Sequence, residues 1–319
     1  MVGSLYCRPT MATPPNDPTP ALRRDVAPTR VDGPALQRHL RRAAAPWLHE
    51  EVARRMADRL GLLRRPPRRI LDWGSDRITN QGASQAWSDQ LLRQHCPQAE
   101  LVALDAEGQP LPASAPSGWL KRLFSPALRA PGGVASAHGD LLWANMGLHW
   151  ANDLPALLQR WHAALQVDGL LMFSCFGPDT LRELRGLYTR AGWGSPASAW
   201  IDMHDLGDAL VHAGFADPVM DMETLTLTWD SPTALLAELR TLGANTDPAR
   251  HAGLRTPRWR QRLEQALADG LRGADGRLHL TFEIIYGHAL KPEPRVPVAA
   301  ETSISLDAMR DMTRRRPAG

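Results

Sequence analysis

Three polar residues stand where a chain of alternating apolar and helical segments would present them to a ligand. Asp72 closes the apolar run at residues 69–72, Asp105 closes "AELVALD" (99–105), and Asn145 closes "DLLWAN" (140–145). In open α/β sheets, ligands bind outside the carboxyl ends of the strands, near the point where strand order reverses. An acid ending the second strand can accept both ribose hydroxyls of an adenosine, which makes Asp105 the most telling of the three. A strand-terminal acid can equally cap the helix that follows it. Gly74 and Ser75 occupy the turn after Asp72, inside "RRILDWGSDRITNQG" (68–82), where glycine lets backbone approach a cofactor. Asp72, Gly74, Ser75, Asp105 and Asn145 are thus the candidate cofactor-binding residues. Cys7, Cys96 and Cys175 share no metal or redox spacing, and no metal site is expected.

The elements that must position these residues are readable from periodicity. Residues 34–62 carry apolar side chains at helical spacing, with Leu36, Leu40 and Ala44 in one stripe and Leu48, Val52, Met56 and Leu60 in another. Pro66 and Pro67 end that stretch and lead into the first strand. Helical segments at 83–95 and 154–165 alternate with strands at 99–105, 140–145 and 169–176. Strands separated by helices predict a parallel sheet covered on both faces. Helices are expected at 180–190, 203–215, 231–242 and 258–271, with two long alternating strands at 218–229 and 278–290 forming an antiparallel end. The organisation expected is a leader at 1–33, one domain over 34–290 with helical insertions about 180–200 and 231–275, and a tail from 291 to 319. The leader is rich in Pro, Thr and Arg without periodicity and reads as disordered. Either Met1 or Met11 can be its start.

At 319 residues and 43% hydrophobic content, the chain can bury a full core. No run approaches the length of a membrane span, and the amino terminus lacks the apolar segment of a secretory signal. A reducing cytoplasm suits the odd cysteine count. The formal charge is +3, and Lys121 and Lys291 are the only lysines. The arginines are spread along the chain without interleaved aromatics, so neither nucleic acid nor membrane is an expected partner.

The second half carries a resemblance. "FGPDTLRELR" (176–185), "DMHDLGDALVHAGFADPVMDMETLTLTW" (202–229) and "FEIIYGHA" (282–289) closely resemble the malonyl-carrier-protein O-methyltransferases of biotin synthesis. "NMGLHWANDLPALLQRWHAALQVDGLLMFSCFGPDTL" (145–181) continues the likeness, and "WLHEEVARRMADRL" (47–60) is similar to the family's amino-terminal helix. The resemblance covers roughly residues 36–290. It implies a doubly wound, Rossmann-like methyltransferase sheet, mostly parallel with an antiparallel end. It also implies S-adenosylmethionine as cofactor and a malonyl thioester on an acyl-carrier protein as partner. A malonyl carboxylate is already a nucleophile at neutral pH, so such an enzyme needs positioning rather than a strong base. A cation should orient that carboxylate. Arg182 in "DTLREL" is the first substrate-binding candidate, a solvated helix-face arginine being the alternative. His204 in "DMHDLG" is the second, against a locally satisfied residue at a helix start.

The family pattern is also broken in three places. Asp76 and Ile78 stand where the resemblance would put glycines, and Gly74 to Asp105 spans 31 positions against about 20 in a standard dinucleotide fingerprint. Gly139-Asp140 abuts the following strand, leaving no room for the crossover of about a dozen residues that parallel neighbours need. One edge strand, with its adenine-facing turn, is therefore expected to be missing. Trp47 stands near the place of a family tyrosine, as a packing residue or one that closes over the cofactor. Two expectations follow: a working methyltransferase with a remodelled loop, or a catalytically inactive methyltransferase-fold protein acting as a binding or assembly factor. An enzyme of altered chemistry, of the kind that serves respiratory complex assembly, shares some of these motifs. A nicotinamide dehydrogenase fits the loop less well.

Overall fold

The computed structural model describes residues 31–40, 46–74, 83–111, 138–243, 245–251 and 253–294. Six strands form one sheet: β1 (Arg69–Trp73), β2 (Glu100–Leu104), β3 (Gly139–Ala144), β4 (Leu165–Phe176), β5 (Ala216–Trp229) and β6 (Leu278–Leu290). Their spatial order is β2-β1-β3-β4-β6-β5. The first four run parallel, while β6 pairs antiparallel with both β4 and β5. The fold is therefore the mixed α/β sheet that the alternation of elements implies. Among the described residues β2 is its outermost strand at one end. The expectation of a missing edge strand falls on residues 112–137, which lie outside the described residues, as do the leader and the tail beyond residue 294.

Two helical layers cover the sheet. On one face lie α2 (Trp47–Asp58), α3 (Ala83–His95), α5 (Arg182–Ala191), α7 (Pro232–Leu242) and α8 (Pro257–Gly270). Leu48, Val52, Leu184, Leu235, Leu263 and Leu267 of these helices share a core with Ile70, Leu141 and Phe282. On the other face α4 (Leu154–Ala164) and α6 (Met203–His212) pack Leu158, Trp161, Leu206 and Leu210 against Leu71, Leu142 and Phe173. Alternation along β1 sends Leu71 and Trp73 to this second core and Ile70 to the first. A short α1 (Gly33–Leu40) carries Leu36, and α2 carries Leu48, Val52 and Met56; Ala44 of the first stripe lies outside the described residues.

Capping explains where the helices begin. Asp153, Ser231 and Thr256 each accept the amide proton three residues on, and each is followed by proline in the first turn of α4, α7 and α8. Proline at that position lacks only a donor that the helix cannot use. Trp47 opens α2 but is 47% exposed, which corrects its expected role as a buried packing residue.

Candidate functional site

The carboxyl ends of β1, β2 and β3 open onto a cavity of about 560 Å³. Trp73 and Gly74 come from the end of β1, Ala106 and Glu107 follow β2, and Ala144 and Gly147 flank the end of β3. Gly74 adopts φ +75° with open space around its Cα, and its N–H donates to Leu104 O at 2.9 Å. The opposite wall is α4, through Leu157, Arg160 and Trp161. Trp73 and Trp161 meet edge to face with ring centroids 6.5 Å apart. Both indole N–H groups are buried without an acceptor among the described residues. Gly108 makes room for the Trp73 ring: a Cβ there would sit 2.9 Å from Cζ2, at a backbone φ of +83°.

The residues expected at strand ends are in place, and their polar groups are engaged. Asp72 is buried, paired through its backbone between Ala103 and Trp143. Asp105 Oδ1 accepts the N–H groups of Glu107 at 2.9 Å and Gln109 at 2.7 Å, closing a turn. That turn brings Leu111 back to donate to Ala103 O at 2.8 Å, so the upper outer edge of β2 is paired by its own continuation. Asn145 is buried; its Nδ2 donates to His49 O at 2.9 Å and its Oδ1 accepts from Ser174 Oγ at 2.8 Å. Its amide therefore ties the start of α2 to β4. Ser75, with Asp76 and Ile78, lies outside the described residues.

A second, smaller cavity of about 100 Å³ lies under α5 and α7. Its lining is aromatic, with the Phe176 ring 4.8 Å from His149 and 5.4 Å from Trp200. Thr180, Ser198 and Asn245 add polar groups. The run Phe176-Gly177-Pro178-Asp179 reaches this cavity because it folds on β6. Asp179 N–H donates to Glu283 Oε2 at 2.7 Å, and Thr180 Oγ1 donates to Glu283 O at 2.9 Å. The two segments most distinctive in sequence, 176–185 and 282–289, thus form one structural unit. Trp150 lines both cavities, held on one side by Gly243, where a Cβ would lie 3.3 Å from its Cη2.

The two substrate-binding candidates stand away from both linings. Arg182 is exposed and ion-paired to Asp179 and Glu183, each at 3.3 Å. His204 is 79% exposed, with its N–H and Nδ1 both 2.8 Å from Asp202 Oδ1. The hydrogen bond from that N–H, with the imidazole beside it, holds the Asp202 carboxyl below its ordinary range. Both side chains serve local helix-start geometry. One turn beyond Arg182, Arg185 is half-buried and lies 4.7 Å over the Trp200 ring. It donates to Thr180 O at 3.2 Å, Ala197 O at 3.5 Å and Ser198 O at 2.6 Å. The sequence offers Arg185 only among the arginines of 182–190 that could meet an acidic carrier surface, and it does not single out Trp150 or Trp200. The one further signal for Arg185 is its place three residues after Arg182 in the same run.

No helix among the described residues is long and apolar enough to cross a membrane, and none of their His, Cys, Asp and Glu side chains group in threes that could hold a metal ion. No protein-family model matches the chain. Individual relatives do. The malonyl-[acyl-carrier protein] O-methyltransferase of Laribacter hongkongensis is 42% identical over 295 residues, covering 86% of this chain and 93% of its own. That of Gallionella capsiferriformans is 38% identical over 281 residues, covering 83% and 93%. That of a Methylovorus species is 38% identical over 264 residues, covering 79% and 85%.

Proposed function

The chain belongs to the family of malonyl-[acyl-carrier protein] O-methyltransferases, and we propose that it moves a methyl group from S-adenosylmethionine to the free carboxylate of a malonyl thioester on an acyl-carrier protein. The observation that carries this reading is the pair of cavities that share Trp150 in their walls. One opens at the strand ends, where a nucleoside cofactor belongs. The other is small, aromatic and roofed by the helical lobe, as an acceptor chamber should be.

The residues of the larger cavity fit the cofactor. Its volume of about 560 Å³ falls within the range of about 300–1,000 Å³ typical of ligand pockets. Two buried indole N–H donors, Trp73 and Trp161, lack acceptors among the described residues, which is costly unless another group supplies one. Gly74 leaves its backbone approachable. Asp105 Oδ2 takes no part in the turn that Oδ1 closes. Trp73, Gly74 and Trp161, which line the cavity, would hold the cofactor, with Asp105, Asp72 and Asn145 outside the lining and fixing the strand ends beside it. Bound there, the cofactor supplies an electrophilic methyl on a sulfonium.

The rest of the chemistry falls to the chain. A malonyl carboxylate is ionised at pH 7, so no side chain has to remove a proton. The aromatic walls of Phe176, Trp200 and Phe282 exclude water from the acceptor, which strengthens every electrostatic contact inside. Transfer needs the carboxylate oxygen in line with, and in contact with, the sulfonium methyl, so Trp150, which lines both cavities, would border the place where the two reactants meet and not stand between them. For the carrier protein, the adjoining helices α5 and α8 offer Arg190, Arg258 and Arg262, which are exposed and suited to an acidic surface.

Calorimetric titration with S-adenosylmethionine and S-adenosylhomocysteine tests the reading. Micromolar binding, followed by methyl transfer to malonyl-[acyl-carrier protein], is the expected result. No heat and no thermal shift at millimolar ligand would overturn it and favour a catalytically inactive role.

A further inference from the structure

Among the described residues, the acceptor chamber has no arginine, lysine or carboxylate in its lining, yet the acceptor proposed above is an anion. A carboxylate entering an aromatic chamber leaves water, and an isolated buried charge is costly unless a partner compensates it. Among the described residues, the guanidinium of Arg185 is bonded directly to that lining. The three residues whose carbonyl oxygens it grips, Thr180, Ala197 and Ser198, belong to the chamber wall, as does Trp200 beneath its plane.

We infer that Arg185, and not the neighbouring Arg182, is the positioning charge for the methyl-accepting carboxylate, acting from one residue layer behind the chamber wall. This rests on the acceptor reading proposed above. The contrast between the two arginines carries it. Arg182 is exposed and already shared between two carboxylates. Arg185 is half-buried and makes no ion pair among the described residues; its hydrogen bonds go to neutral carbonyls, which orient the charge without cancelling it. Burial pulls its basicity down, with Asp247 opposing, but a guanidinium stays charged at any working pH. Asp247 itself is turned aside, its Oδ1 accepting Ala249 N–H at 2.8 Å. In a partly buried setting a full charge acts across several ångströms far more strongly than in water.

The test compares binding of malonyl- and acetyl-[acyl-carrier protein] by wild type, Arg185→Met, Arg185→Lys and Arg182→Met, with KM and kcat measured for the malonyl form. The carrier is common to both ligands, so their ratio isolates the carboxylate. Wild type should prefer malonyl. Arg185→Met should lose about tenfold in malonyl affinity, seen in KM more than kcat, with acetyl affinity changed by less than about twofold. Arg185→Lys, which keeps the charge and gives up the fork to the carbonyls, should retain the preference at lower thermal stability. Arg182→Met should match wild type. An unchanged malonyl-to-acetyl ratio in Arg185→Met, or equal losses for both ligands, would reduce Arg185 to a wall support and overturn the inference. Should the methionine variant fail to fold, equal losses for both ligands in Arg185→Lys would do the same. A wild type that binds cofactor and acetyl carrier but shows no malonyl preference refutes this inference alone, whereas one that binds no cofactor refutes the function reading beneath it.

Discussion

Gly177 lies against the carboxyl group of Glu283: a Cβ built on the glycine would sit 2.7 Å from Cδ and 2.8 Å from Cγ of that side chain. The same carboxylate accepts the Asp179 N–H, and Gly177 N–H donates to Glu283 O at 2.9 Å. Chain direction after β4 is therefore set by contact with β6, and the residues that line the acceptor chamber follow from it. Gly177→Ala should cost about 1–3 kcal/mol of stability, the range for overpacking a close contact. Urea unfolding of the variant measures this, and an undiminished midpoint would show that Glu283 yields without cost.

Glu183 adds an acid-sensitive term to the same region. Burial pushes its carboxyl up, but Thr281 outweighs that, donating Oγ1–H at 2.5 Å and N–H at 3.0 Å, and the net displacement is downward. A carboxyl lowered in the folded state contributes stability that is present above its unfolded value, about 4.3, and lost as pH falls through its folded value. Glu183→Gln should therefore flatten the decline of thermal midpoint below about pH 5. A decline as steep as wild type's would assign acid unfolding to other groups.

His162 and His288 act in the same direction at milder acidity. Burial lowers both, assisted by Lys291 at His162 and by Arg59 at His288, while a hydrogen bond involving Gly214 opposes it at His162. The folded protein thus holds them neutral, and their contribution is complete above about pH 6.5 and lost as pH falls below it. Thermal midpoints of the His162→Gln, His288→Gln double variant should vary less than wild type's between about pH 7 and 5. Equal slopes would remove the histidines from the account.

Cys175 and Cys96 should be silent toward thiol reagents while the protein is folded. Burial, and then Glu283, pushes the Cys175 thiol up to about 12; burial raises Cys96 as well. Since the thiolate is the reactive species, iodoacetamide at pH 8 should label neither residue until urea unfolds the chain. Mass spectrometry of the native digest reads this directly, and native labelling of Cys175 would mean that β4 opens locally.

The sheet was legible in the sequence because strands buried on both faces read as near-continuous apolar runs, as at Leu141–Trp143 beside Leu170–Phe173. The helices of the second half were legible as segments, while the caps that start α7 and α8 come from the structure. The chemistry was less so. Asp105 shows its position at a strand end, but that its Oδ1 closes the following turn depends on Gly108 taking φ +83°. Asn145 points inward because Ser174 and His49 arrive from distant segments. Arg182 and Arg185 lie on one helix, and helical period alone cannot tell which is covered. The answer comes from residues 197–200, whose carbonyls and indole close over Arg185.

Trp150 stands in the wall of both cavities, with the His149 ring 5.3 Å away. One indole therefore sets the boundary of two binding events. A ligand in either chamber that shifts this ring changes the free energy of binding in the other, and thermodynamic reciprocity returns the same increment in the opposite direction. Such coupling would need only one side chain, and no domain, to move.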